Sequence, residues 1–229
     1  MQFHSYFRSS AAYRVRIALA LKGLAYKNIP VDLRKGEQGG EAYRRLNPQA
    51  LVPTLVDGPH VLSQSLAIIE YLEETHPEPP LLPKTAPERA RVRGLALAVA
   101  CDIHPLNNLR VLNYLADPLG HDEAARQRWA RHWIGLGLAA IERELEASSW
   151  TGRFCHGDAP GLADICLVPQ VYNANRVAAP LEDYPLIRRI DAAARALPAF
   201  EIARPEAQPD CPPELRQNPA SPAGQPGAR

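Results

Sequence analysis

Five prolines fall within residues 77–87, PEPPLLPKTAP, and they divide the chain into two stretches of different character. Proline fixes φ and lacks an amide donor, so such a run builds neither a helix interior nor an inner strand. It reads as a stiff linker. Ahead of it the hydrophobic period changes repeatedly. Residues 2–6 read as a short strand. From Ser10 to Lys22 apolar side chains recur at helical spacing, Val15 and Leu19 with Ile17 and Leu21 beside them, and Gly23 supplies the stop. Residues 25–32 predict a second strand, with Pro30 suggesting an edge position. A charged loop with glycines (34–40) and a short helix (41–46) come next. Thr54–Val56 and His60–Leu62 then flank an Asp57-Gly58 turn, a strong hairpin signal. A helix from Gln64 to Thr75 closes a βαβαββα unit, which with the helical remainder makes the chain α+β.

Beyond the linker the pattern is helical for more than a hundred residues, with segments at 87–116, 122–147, 162–178, 185–197 and a short one near 198–203. Pro105 sits inside the first and should bend it. From Arg204 onward seven prolines and few apolar residues suggest a disordered tail. The expected division is therefore 1–78, 88–203 as an all-helical bundle, and 204–229 as tail.

Charge and cysteine usage exclude several function classes. Lys and Arg total 26 against 25 Asp and Glu, a net charge of +1 that gives no reason to expect nucleic acid or an anionic membrane surface. No apolar run approaches the roughly 18 residues of a membrane span. The opening MQFHSYFRSS lacks a signal peptide's apolar core, so the expected compartment is the cytoplasm. Cys101, Cys155, Cys166 and Cys211 form no CxxC pair and no His-supported zinc pattern, and read as reduced thiols with no metal.

Four local features carry chemistry. Ser9-Ser10-Ala11-Ala12-Tyr13-Arg14-Val15-Arg16 runs from a strand into a helix. A serine there is ordinarily an N-cap, but a helix start also concentrates unpaired amides and positive dipole. A hydroxyl aimed at a thiol from that position favours the thiolate. Leu51-Val52-Pro53-Thr54-Leu55 precedes a strand, and a cis Pro53 would turn the Val52 N–H and C=O outward toward a peptide-like ligand. Gln64 and Ser65 open a second helix whose amides can hold a carboxylate. In Gly157-Asp158-Ala159-Pro160-Gly161-Leu162-Ala163-Asp164, Asp164 resembles half of a capping box and is structural.

The order of these pieces resembles the cytosolic glutathione transferases over residues 1–203. Ser9 to Arg16, Asn47-Pro48, Val52-Pro53-Thr54-Leu55 and Gln64 to Leu72 resemble the zeta class, with its Ser-Ser-Cys-x-x-Arg-Val-Arg signature and its maleylacetoacetate isomerases. Two positions depart from the family pattern. Ala11 replaces the signature cysteine, and Gly161 stands where a Ser or Thr cap is usual. The resemblance implies a thioredoxin-like N-terminal domain that binds glutathione and a helical domain that builds the second substrate's pocket. By the same resemblance Ser9 holds the sulfur and is catalytic, Ser10 is a further cofactor-binding residue, and Val52 before Pro53 pairs with the cysteinyl backbone. Gln64 and Ser65 take the γ-glutamyl end, and Gln38 reaches the glycine carboxylate. His104 and Asn108, four apart and so expected on one helix face, add a cleft wall. Arg8, Arg176 and Arg110 are expected to clamp an acidic substrate, since guanidinium forks match carboxylates.

The implied reaction is glutathione-dependent isomerisation of maleylacetoacetate by sulfur addition, rotation and elimination. Maleylpyruvate isomerisation, general conjugation of electrophiles and a non-catalytic binding role are the alternatives. A two-fold homodimer is expected.

Overall fold

The structure, a computed structural model, describes residues 1–216 and divides into two units. One holds Met1–Leu82 together with the described chain from Arg195 onward; the other holds Pro83–Ala194.

The first unit is built on a four-stranded sheet of order β2-β1-β3-β4. Its elements are β1 (Gln2–Ser5), α1 (Ser10–Leu21), β2 (Lys27–Pro30), α2 (Glu41–Leu46), β3 (Thr54–Asp57), β4 (His60–Ser63) and α3 (Ser65–Thr75). β1 and β2 are parallel, Gln2 opposite Lys27, so α1 must cross between them. β3 runs antiparallel to β1 and forms a hairpin with β4 in which Asp57 faces His60. Gly58, at φ 54°, takes the left-handed conformation that a two-residue hairpin loop requires. Pro30 ends β2 on the sheet edge, where its missing N–H breaks no ladder. Phe3, Leu55, Val15, Leu19, Ile68 and Leu72 form the core beside the sheet.

The stretch expected to be a featureless tail differs from that expectation. Within it a 3-10 turn covers Pro205–Ala207 and α10 spans Pro213–Arg216, while the short helix expected just before it is present as α9 (Pro198–Ala203), packed on α1. Pro205, Gln208 and Cys211 are buried. Proline-rich chain avoids helix interiors but packs readily as turns once its few apolar side chains find a surface. Residues 217–229 of that expected tail lie outside the described residues.

The linker is stiffened by a buried charge pair as well as by its prolines. Lys22 Nζ lies 2.8 Å from Glu73 Oε2 and donates to the carbonyls of His76 and Pro79, while the Glu73 carboxylate accepts the amides of Leu81 and Leu82.

In the second unit the single bent helix expected over 87–116 is instead four pieces. α4 (Ala86–Leu97), capped by Thr85 and Glu88, runs into a π-helical stretch at Ala98–Ile103, a 3-10 turn at His104–Asn107 and then α5 (Leu109–Ala116). Pro105 cannot supply the amide that would continue the helix, so the chain restarts at the Asn108 cap. α6 (Glu123–Glu146) begins at an Asp122 cap, and α7 (Leu162–Arg176) packs on α4. The Glu142 carboxylate accepts the Leu186 and Ile187 amides at the start of α8 (Pro185–Arg195). Among the described residues no helix is long and apolar enough to cross a membrane.

Asp164 takes the structural role its spacing predicts. Its two oxygens accept the amides of Cys155 (2.8 Å) and Gly161 (2.9 Å), fixing the loop before α7 and compensating for the hydroxyl cap that Gly161 lacks. Burial pushes its carboxyl above the usual range, against the pull of those amides. In Asp164→Asn one of the two amides faces an NH2 group, and stability should fall by about 2 kcal/mol. Thermal melting should register this as a drop of about 4–8 °C.

Candidate functional site

The turn from β1 into α1 places Ser9 at the helix N-cap with extended backbone, φ −68° and ψ 119°. Its Oγ accepts the Ala12 amide at 3.2 Å, and its carbonyl accepts the Tyr13 amide at 2.8 Å. A hydroxyl that accepts one bond still has its proton to donate. Ser9 is half-buried and Ser10, the first helical residue, is buried. The α1 amides of Ser10 and Ala11 have no partner among the described residues. A hydroxyl proton and two open amides thus share the positive end of one helix.

Val52 and Pro53 are joined by a cis peptide bond. The segment around them is held by two buried side chains. Tyr43 Oη donates to the Leu51 carbonyl at 2.7 Å and lies 2.9 Å from Thr54 Oγ1, and Asn47 Nδ2 donates to the same carbonyl at 2.7 Å. Burial raises the Tyr43 phenol, and its contacts with Thr54 and Asn47 partly offset the rise. Val52 itself makes no backbone hydrogen bond among the described residues. Its side chain packs against a buried cluster of Tyr6, Phe7 and Cys211, two of whose members belong to the turn that carries Ser9.

Gln64 precedes α3 at φ 69° and ψ 117°, a conformation disfavoured for any residue with a Cβ. Its side-chain amide donates to Gln49 Oε1 at 2.9 Å, and it provides no side-chain cap to α3. The amides of Ser65, Leu66 and Ala67 therefore stand open at a helix start among the described residues. Ser65 Oγ accepts from Arg14 Nη1 at 3.2 Å, tying α3 to α1. Gln38 lies in the 3-10 turn at Glu37–Gly39, half-buried, with its Oε1 buried and unpaired among the described residues.

Of the sequence-predicted residues, Arg8, Ser9, Ser10, Gln38, Val52, Pro53, Gln64 and Ser65 belong to the first unit. The Arg8 guanidinium lies over the Phe7 ring, 5.8 Å from its centroid. His104, Asn108, Arg110 and Arg176 belong to the second unit. The expectation that His104 and Asn108 share a helix face is corrected. His104 begins a 3-10 turn, and Asn108 is an extended residue capping α5, its Oδ1 accepting the Arg110 amide at 3.1 Å. Pro105 ends the helical path between them. The Arg110 side chain is exposed, and Arg176, at the end of α7, donates to Asn173 Oδ1 at 3.4 Å.

Sequence reasoning missed the burial of Arg14 and Arg16, which are 2% and 1% exposed. Two arginines flanking Val15 within an apolar pattern were the available signal. An i, i+2 pair occupies different helix faces, so a helix with only one exposed face cannot leave both in water.

These residues fit a tripeptide thiol with carboxylates at both ends. An extended residue with an open backbone suits its middle. Unpaired amides at α3 suit one carboxylate, and a hydroxyl with open amides at α1 suits the sulfur.

Similarity to known proteins defines the family. Residues 8–75 match the glutathione S-transferase N-terminal domain family. The maleylacetoacetate isomerase of Pseudomonas aeruginosa is 52% identical over 215 residues, covering 93% of this chain and 99% of that protein. A holo structure of maleyl pyruvate isomerase, described as a bacterial zeta-class glutathione S-transferase, superposes with TM-score 0.91 at 50% identity, covering 93% of this chain and 100% of the other. A maleylacetoacetate isomerase from Anaeromyxobacter dehalogenans with glutathione bound in its active site gives TM-score 0.82 at 48% identity, covering 92% and 97%. The fold and site define a glutathione S-transferase, and the chain belongs to the zeta class of that family together with the maleylacetoacetate and maleylpyruvate isomerases.

The positive φ at Gln64 costs about 1–3 kcal/mol, which a Cβ-free residue avoids. Both Gln64→Gly and Gln64→Ala remove the side chain that reaches Gln49. The glycine variant should nevertheless be more stable than the alanine variant by about 1 kcal/mol in urea unfolding, while both bind glutathione more weakly than wild type.

Proposed function

We propose that the protein is a glutathione-dependent cis–trans isomerase of a maleyl β-diketo acid, with maleylacetoacetate as substrate and fumarylacetoacetate as product. One observation supports this above the rest: Ser9 Oγ is satisfied as an acceptor by the Ala12 amide and keeps its proton to donate, at the positive end of α1. A hydrogen bond given to a sulfur there favours its ionised form, which is the reactive one. When bound, glutathione supplies the sulfur that adds reversibly to the cis double bond and leaves after rotation, so none is consumed.

The chain's own residues do the holding. Ser9 donates to the sulfur, beside the Ser10 and Ala11 amides. Val52 pairs its backbone with the peptide, before Pro53. Gln64, Ser65 and the α3 amides hold the γ-glutamyl carboxylate, and Gln38 holds the glycine end. His104 and Asn108 are assigned to the cofactor. Arg8, Arg176 and Arg110 are assigned to the acidic substrate, binding its carboxylates and stabilising charge that builds on its carbonyl oxygens. Ala11 offers no thiol, so Ser9 acts without one. The working state is a cytoplasmic two-fold homodimer. Similarity to a maleylpyruvate isomerase supports a second reading, in which maleylpyruvate is the better substrate.

Isomerisation is followed by loss of the enol absorbance of maleylacetoacetate with glutathione at catalytic level. Fumaryl product with glutathione recovered is expected, and stoichiometric loss of glutathione without that product makes the protein a conjugating enzyme. A higher kcat/KM on maleylpyruvate selects the second reading. Ser9→Ala should lower kcat about 100-fold or more with little change in glutathione affinity. An equal loss in Ser10→Ala would mean that the wrong hydroxyl has been assigned.

A further inference from the structure

We infer that Asp210, with the C-terminal stretch around it, is a positioning residue for the Ser9 hydroxyl. The inference rests on the proposed role of Ser9 at the glutathione sulfur. Asp210 lies 203 positions from the residue it binds: its Oδ2 accepts the Phe7 amide at 2.8 Å. The other end of Phe7 is held from α1, where Arg16 Nη2 donates to the Phe7 carbonyl at 2.8 Å. Arg16 Nε reaches in turn to the Ala203 carbonyl at 2.9 Å, so the same guanidinium grips the end of α9. Phe7 is thus fixed by its N–H and by its C=O, two residues before Ser9. Within the turn itself the Ser9 amide donates to the Tyr6 carbonyl at 3.0 Å.

Packing follows the same plan. Cys211, 2% exposed, sits in a cluster with Tyr6 and Phe7, and Val52, Leu33 and Leu215 pack against it. The C-terminal stretch therefore shares one cluster with the turn bearing Ser9, and the residue assigned to the cofactor's peptide backbone packs against that same cluster. It is braced from outside by Arg216, whose Nε and Nη2 donate to the carbonyls of Cys211 (2.9 Å) and Pro209 (2.7 Å). A hydroxyl that must meet a sulfur tolerates displacement of only about 0.5 Å, and its support has to come from groups locked elsewhere.

The test compares wild type, Ser9→Ala, Asp210→Ala, Asp210→Asn and Arg216→Ala. It reads kcat, glutathione KM, melting temperature and the pKa of bound glutathione from its thiolate ultraviolet absorbance. Asp210→Ala should lower kcat about tenfold and move the bound thiol's pKa up toward that of glutathione in water, with KM within about twofold of wild type. Asp210→Asn should restore most of both, since its amide oxygen can accept the Phe7 N–H. Arg216→Ala, an exposed change, should shift the thiol pKa in the same direction by less, and it serves if Asp210→Ala does not fold.

A lowered melting temperature with wild-type kcat and thiol pKa in Asp210→Ala would make the residue merely structural and overturn the inference, as would an Asp210→Asn no better than the alanine variant. If Asp210→Ala does not fold, wild-type values in Arg216→Ala overturn it. In those cases Ser9→Ala still raises the thiol pKa, and the proposed function stands. A silent Ser9→Ala overturns both.

Discussion

Arg16 projects from the middle of α1 into a cage of carbonyl oxygens: Ala203, Phe7 and Tyr6. Burying a guanidinium is costly unless its donors are matched, and here backbone acceptors from two distant parts of the chain match them. The arrangement couples three things that would otherwise be independent: the helix, the turn before it and the C-terminal stretch. Since that turn delivers Ser9, the position of the hydroxyl depends on how well a buried charge is solvated by protein.

Arg14 does the corresponding work toward α3. Its bond to Ser65 ties the start of the second ligand-holding helix to the first. The two helix N-termini with open amides are thus held by side chains from a single helix. Asn47 and Tyr43 complete the frame by fixing the Leu51 carbonyl and Thr54 on either side of Val52 and Pro53. Polar groups buried with their partners in place specify geometry more sharply than apolar packing, which tolerates repacking. Arg16, Asn47 and Tyr43 are polar groups of that kind, beside buried apolar strand residues such as Phe3 and Leu55.

The second unit shows where periodicity stops being informative. Over 87–116 apolar spacing stays close to helical, yet the chain passes through a π-helical stretch and a 3-10 turn before α5 starts at Asn108. Periodicity cannot separate one continuous helix from successive pieces of nearly the same pitch. Proline reports that a break occurs, but not how many residues absorb it. For that reason the shared face expected for His104 and Asn108 was not obtained. Asp164 is the contrary case, because a carboxylate three residues past a helix start has few partners other than the amides beside it.

What the residue order determined by itself was local and short-range. The βαβαββα succession, the edge position of Pro30, the Gly58 turn and the serine and glutamine at two helix starts all follow from dihedral preference, hydrophobic period and missing donors, which act within a few residues. Tertiary structure alone decided which partners the buried arginines find and what the chain from Arg204 to Arg216 does. Phe7 and Asp210 are joined across 203 positions, and no preference of either residue encodes the other. Burial and long-range pairing depend on where distant segments meet, and that meeting is a property of the whole fold.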